Sequence, residues 1–146
     1  MVFNKLLYLK ERALSFELIF FTVFIPFCLF IFFSFARSSG WSKLSEKYKN
    51  KENFDGVIIK NITANFKSNN YSNGILNIGV NDQFIHLSIN PFFKLFTPNL
   101  LVPLDDVSFS NESHNLVFKF KIGFKEYPDI FVCITKRNAK KLGIEV

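Results

Sequence analysis

The chain is poor in the residues that usually carry chemistry: its 146 residues include two cysteines, two histidines, one tryptophan and one methionine. Cys28 lies in a long apolar run and Cys133 lies near the other end of the chain. No disulfide framework and no cysteine–histidine ligand spacing can be drawn from them. Cys133, between Val132 and Ile134, reads as a small core residue. His86 alternates with Ile85 and Leu87 and is expected to face solvent or a loop, whereas His114 falls in the turn-like stretch 111–115. Neither histidine has the neighbours that a metal site or an activated nucleophile needs. Asp105 and Asp106 are adjacent, and neighbours on an extended chain point to opposite faces, so they read as turn residues and not as an acid–base pair. There is no G-x-S-x-G elbow and no glycine-rich phosphate loop. These absences lead to the expectation of a protein that is not an enzyme and that holds no metal and no cofactor. Three N-x-S/T triplets start at Asn61, Asn70 and Asn111; with 15 asparagines in the chain, chance explains most of them.

Charge is missing altogether from residues 18–36, LIFFTVFIPFCLFIFFSFA, where only Thr22, Pro26 and Ser34 depart from the apolar set. A helix of this length spans about 28 Å, close to the hydrocarbon core of a bilayer. A small domain could not bury a helix that is apolar on every face. Pro26 would break a helix in water but is tolerated in lipid, with a kink expected near the preceding turn. The rival reading is a cleavable signal, because Ser34-Phe35-Ala36 has small residues at the right spacing. However, the run exceeds the roughly 7–15-residue core of such signals, and the segment before it contains Glu11 and Glu17. The expectation is therefore a retained, single-pass transmembrane helix. Lys5, Lys10 and Arg12 precede it, while Arg37, Lys43, Lys47, Lys49 and Lys51 follow, a bias that places the C-terminal part in the cytoplasm. Residues 1–17 read as an amphipathic segment. Phe3, Leu6, Leu7 and Leu14 suit either a helix lying on the membrane or an extension of the span.

The net charge of +6 is spread thinly along the chain. That suits a domain beside anionic lipid headgroups and lacks the dense basic clusters of a nucleic-acid binder. An apolar content of 49% argues against disorder, and the 21 phenylalanines, with abundant Asn, Lys and Ile, match the bias of AT-rich coding sequence. After the break at Ser38-Ser39-Gly40, residues 37–53 hold a short juxtamembrane helix with Trp41, Leu44 and Tyr48 on one stripe. Tryptophan and tyrosine favour the membrane interface and lysine favours anionic headgroups. Trp41, Lys43, Lys47, Tyr48, Lys49 and Lys51 are thus the candidate membrane-surface contacts. The competing reading packs the aromatic stripe into the domain core.

From residue 54 the period changes to two. Ile62, Ala64 and Phe66 share one face of a strand; residues 69–74 have loop composition; Leu76, Ile78 and Val80 lead through an Asn81-Asp82 turn to Ile85, Leu87 and Ile89. Residues 75–80 and 84–89 therefore form a hairpin that Asn90-Pro91 ends. Leu100, Leu101 and Val102 make a short strand, and Pro103 gives it an edge position. Val107 and Phe109 continue the alternation. Leu116, Phe118, Phe120 and Ile122 mark another strand, and Ile130, Val132 and Ile134 the last. Thr135 is a good helix cap, Lys140 and Lys141 suit a helix end, and Gly143 suits its stop.

The segment Leu101-Val102-Pro103-Leu104-Asp105-Asp106-Val107 resembles the GRAM-like pattern of a hydrophobic strand, a proline, an acidic turn and a return to an aliphatic residue. Residues 76–88 resemble the leading hairpin of that pattern. Over roughly 55–143 the chain is similar to the pleckstrin-homology (PH)-like superfold, as found in small bacterial single-pass membrane proteins. The resemblance implies a bent, seven-stranded antiparallel barrel closed by a C-terminal helix. It does not extend to headgroup recognition, because no basic phosphoinositide motif lies between the first strands.

The sequence thus leads to an α+β protein: an N-terminal transmembrane helix, then a mainly antiparallel β-barrel or sandwich with a short C-terminal helix. The β-rich domain covers 54–146. The expected function is that of a membrane-tethered binding or scaffold module whose partners are the bilayer and either anionic headgroups or a membrane protein. The alternative is an extracytoplasmic domain in envelope structure or assembly.

Overall fold

The computed structural model describes residues 12, 15–50, 54–67, 70–111 and 117–144. One helix, α1 (Ser15–Ser38), carries the charge-free run, is long and apolar enough to cross a membrane, and buries none of its apolar window against the protein. Just before Pro26 it widens into a π-helical turn, Phe20–Phe24. Proline has no N–H and its ring collides with the carbonyl one turn back, so the ladder shifts there by a residue. The Thr22 hydroxyl donates to the Leu18 carbonyl in the same turn.

At its far end α1 turns directly into the domain. The Ser39 N–H bonds the Phe35 carbonyl at 2.9 Å, and Gly40 adopts φ 83, a conformation open to glycine at little cost. A Cβ at Gly40 would sit 2.7 Å from Ile130 Cδ1, so the helix end can lie on the sheet only without a side chain there. Helix α2 (Trp41–Tyr48) follows at once.

Seven strands form one antiparallel sheet: β1 (Val57–Phe66), β2 (Asn70–Val80), β3 (Phe84–Ile89), β4 (Leu100–Pro103), β5 (Val107–Ser110), β6 (Phe120–Phe124) and β7 (Tyr127–Ile134). Their order is β4-β3-β2-β1-β7-β6-β5. Strand β1 is the hub. It pairs with β2 along its length and with β7 through Asn65 and Phe66. The sheet curves so that side chains from all seven strands meet in one core, with Phe66, Ile78, Leu87, Val102, Val107, Ile122 and Val132 among them. The inward residues are those the alternation selects: Ile62, Ala64 and Phe66, then Leu76 and Ile78, then Ile85, Leu87 and Ile89, and finally Ile130, Val132 and Ile134. Cys133 is buried beside them.

The expected closure into a barrel or sandwich does not occur: edge strands β4 and β5 do not pair with each other. Both are only four residues long, and the 3-10 turn Leu104–Asp106 joins them. Helix α2 and the residues after it bind the rim instead. Lys49 makes a bridge with Leu100, the Asn50 N–H bonds the Asn99 carbonyl at 2.9 Å, and the Trp41 indole N–H bonds the Pro98 carbonyl at 2.9 Å.

Other expectations need adjusting. Residues 70–74, read as loop, lengthen β2 and pair with the end of β1, Phe66 opposite Asn70 and Ala64 opposite Ser72. Pairing gives these backbone groups the partners that their composition would leave to water. Two register slips in β1 accompany this, near Asn61 (φ 56) and opposite Gly74 (φ 64); the Asn61 N–H is held by Asn77 Oδ1 at 2.9 Å. Strand β6 starts at Phe120, with Phe118 buried ahead of it and Leu116 outside the described residues. The β2–β3 turn forms as expected, Asn81 Oδ1 accepting from the N–H groups of Gln83 and Phe84. So does α3 (Lys136–Lys141), capped by the Thr135 hydroxyl and stopped at Gly143 (φ 71), where the Ile144 N–H bonds the Ala139 carbonyl. The amphipathic pattern of Phe3, Leu6, Leu7 and Leu14, and His114, lie outside the described residues.

Candidate functional site: the juxtamembrane face

The domain surface nearest α1 is built by α2 and by the β3–β4 connection. Helix α2 turns its aromatic stripe inward. Trp41 is 1% exposed and Tyr48 4%, so both side chains belong to the core. The Trp41 ring lies 5.9 Å from Phe66, Phe35 of α1 lies 6.1 Å from the same ring, and Tyr48 lies 6.3 Å from Tyr127. Through Phe66 the end of the apolar helix, the juxtamembrane helix and the sheet share one packed contact. Ala36 and Ser39 are buried in it.

The lysines of α2 divide. Lys43 and Lys49 are exposed, as is Arg37 at the end of α1. Lys47 instead binds Asp106 at 3.1 Å and Glu126 in closer contact, and Asp106 also accepts the Tyr48 hydroxyl at 3.0 Å. Those two bonds hold the Asp106 carboxyl below the ordinary carboxylate range, while Glu126 first and Asp106 second raise the Lys47 ammonium. Burial, then Asp106, pushes the Tyr48 phenol up. The cluster fastens α2 to the turns before β5 and after β6, with the Lys47 ammonium already engaged by two carboxylates. Lys51 lies outside the described residues.

Beside α2 the β3–β4 connection, 90–99, presents Phe92, Phe93, Leu95 and Phe96 to the exterior, with Lys94 among them. Phe93 packs edge-on to Phe32 of α1 at 5.9 Å, and Phe96 to Phe33 at 5.8 Å. Sequence reasoning passed over this loop as proline punctuation. The available signal was PFFKLF, four large apolar residues between Pro91 and Pro98 with no alternation to place them in a half-buried strand.

An open depression of about 440 Å³ at the far end of the β2–β3 hairpin is lined by Asp82, Gln83, Phe84, Pro103, Leu104 and Asp105. Its lining holds two carboxylates and no histidine, lysine or arginine. Among the described residues no group of three or more His, Cys, Asp or Glu could hold a metal ion. His86, expected to face solvent or a loop, faces the segment just before β1 and is shut off from solvent. It is 5% exposed, its ring stacks on Phe54 at 5.0 Å, and its Nδ1 is buried without a hydrogen-bond partner. Phe54 can lie there because Gly79 leaves room: a Cβ on Gly79 would fall 2.6 Å from the Phe54 ring. Burial, with a smaller effect from Lys94, pushes the His86 imidazole below its ordinary pKa.

No family model, curated protein or solved structure matches this chain.

Proposed function

We propose that this chain is a membrane-tethered, non-enzymatic binding module whose β-rich domain is held against the cytoplasmic face of the bilayer. The observation that carries the reading is the junction between α1 and the sheet. The apolar helix ends in a turn whose residues Ala36, Ser39, Gly40 and Trp41 are all buried in the domain. A helix that were merely a disposable leader would not need to build the core. Exposed Arg37 and Lys43 flank this junction in the chain and exposed Lys49 follows α2, where anionic headgroups would meet them. Tethering raises the effective concentration of the domain toward any other membrane-bound partner. A PH-like fold is part of the proposal. Seven antiparallel strands and a C-terminal helix support it, and the unjoined edges of β4 and β5 are a departure from a closed barrel.

A pair of C-terminal fusions tests the reading, one reporter active only in the cytoplasm and one only outside it. Activity of the inside reporter in the membrane fraction is the expected result. Activity of the outside reporter would overturn the cytoplasmic placement and favour an envelope role. Recovery of the full-length fusion in the soluble fraction would overturn the anchor itself.

A further inference from the structure

The β3–β4 loop is an apolar surface with a fixed shape. Phe92 is 89% exposed and Leu95 51%, and Phe93 and Phe96 are exposed beside them. A water-facing surface seldom gathers four such side chains in six residues. The loop is not slack. The Asn90 side chain accepts the Phe92 N–H at 3.2 Å and donates to Asn61 Oδ1 at 3.0 Å. The Thr97 N–H bonds the Lys94 carbonyl at 3.0 Å, and the Pro98 carbonyl is held by the Trp41 indole. Phe96 has φ 66, a left-handed conformation that is unfavourable for an aromatic residue and persists only where its surroundings impose it.

The depth of this loop follows from its neighbours. Phe93 and Phe96 rest on Phe32 and Phe33, which lie four and three residues inside Ala36, the last residue of the charge-free run. At the helical rise of 1.5 Å per residue, that contact sits about 5 Å within the apolar segment. We propose that residues 91–96 enter the leaflet beside α1 as a second, shallow anchor, with their occupant the boundary between headgroups and acyl chains. Lipid is favoured because the loop is continuous with the exposed, apolar surface of α1, on which Phe30 and Phe33 also lie bare. Lys94, exposed among the apolar side chains, carries its ammonium back to the headgroup phosphates on a flexible stem. The inference rests on α1 being a membrane span and adds a site that the span alone does not imply.

The test uses the full chain carrying Cys28→Ser and Cys133→Ala, reconstituted into vesicles of phosphatidylcholine and phosphatidylglycerol. Single nitroxide labels are placed through Phe92→Cys, Leu95→Cys, Phe30→Cys in the span and Asp82→Cys at the opposite end of the hairpin. Collisions with oxygen and with a water-soluble nickel chelate then report depth. The expected result is that labels at 92 and 95 meet oxygen several-fold more than nickel, as the label at 30 does, while the label at 82 shows the reverse. Water-like labels at 92 and 95 with a lipid-like label at 30 would overturn the second anchor and leave the first standing. A water-like label at 30 would overturn both. Labels at 92 and 95 shielded from both reagents would show a protein cover, such as a second copy of the chain, and overturn the lipid assignment. Phe92→Trp in the otherwise native chain gives an independent reading that leaves both cysteines in place. Lipids brominated near the glycerol should quench it beyond the emission of buried Trp41, and no added quenching would count against insertion.

Discussion

At His86 a single ring shows how tertiary cover decides the state of a titratable group. Its Nδ1 has no hydrogen-bond partner, Phe54 lies over its face, and burial disfavours the protonated ring. Its pKa is depressed in the folded chain, so the unfolded chain binds the proton more readily. The neutral ring is therefore compatible with folding above the unfolded value of about 6.5, and stability falls as pH drops below it. Replacing His86→Phe keeps a flat ring against Phe54 and removes that proton. Denaturant melts of the two proteins at a series of pH values from neutral to mildly acidic should diverge as the pH falls, with the native chain losing more. A constant gap would show that His86 does not titrate on unfolding in this range. The alternation of Ile85, His86 and Leu87 correctly placed the histidine on the outer face of β3. It could not reveal that this face is roofed, because Phe54 is more than thirty positions away and the room for it is made by Gly79 on another strand.

Helix α2 is the element on which the two sequence readings met. Trp41, Leu44 and Tyr48 mark a stripe in either case, since tryptophan and tyrosine suit both a core and a membrane interface. The partners that bury the stripe, Phe66, Pro98 and Asp106, come from the sheet and its turns and leave no trace in the local pattern. As a core element α2 should be sensitive on one side only. Leu44→Ala should cost about 2–5 kcal/mol of unfolding free energy. By contrast, Lys43→Gln should change it by less than about 0.5 kcal/mol. Equal, small effects in detergent-solubilised protein would show that the stripe is not packed. The strands were the most legible elements, because a buried face repeats every second residue. Asn-rich β2 was the least, because its first residues owe their strand geometry to pairing with β1 and not to their composition.

For the whole molecule, α1 and the domain are joined by the buried Ser39-Gly40 turn, and the exposed apolar loop lies beside that joint. Cutting the chain before Arg37 removes Phe32, Phe33 and Phe35 and leaves the loop with no neighbour from α1. The fragment 37–146 should therefore self-associate in water, and Phe92→Ser with Leu95→Ser should return it toward a monomer in size-exclusion light scattering. A monomeric unmodified fragment would show that the loop is not adhesive. The order of elements could be read from the sequence; the open rim between β4 and β5 could not, because closure depends on sheet curvature and on where α2 docks. The Ser39-Gly40 turn also limits where the domain can go. Because α1 runs through that turn straight into α2, which packs in the core of the sheet, the β-rich part, whose radius of gyration is roughly 13 Å for about a hundred residues, stays within a few nanometres of the end of α1. With α1 in a bilayer as proposed, every surface of the domain stays inside a film a few nanometres thick.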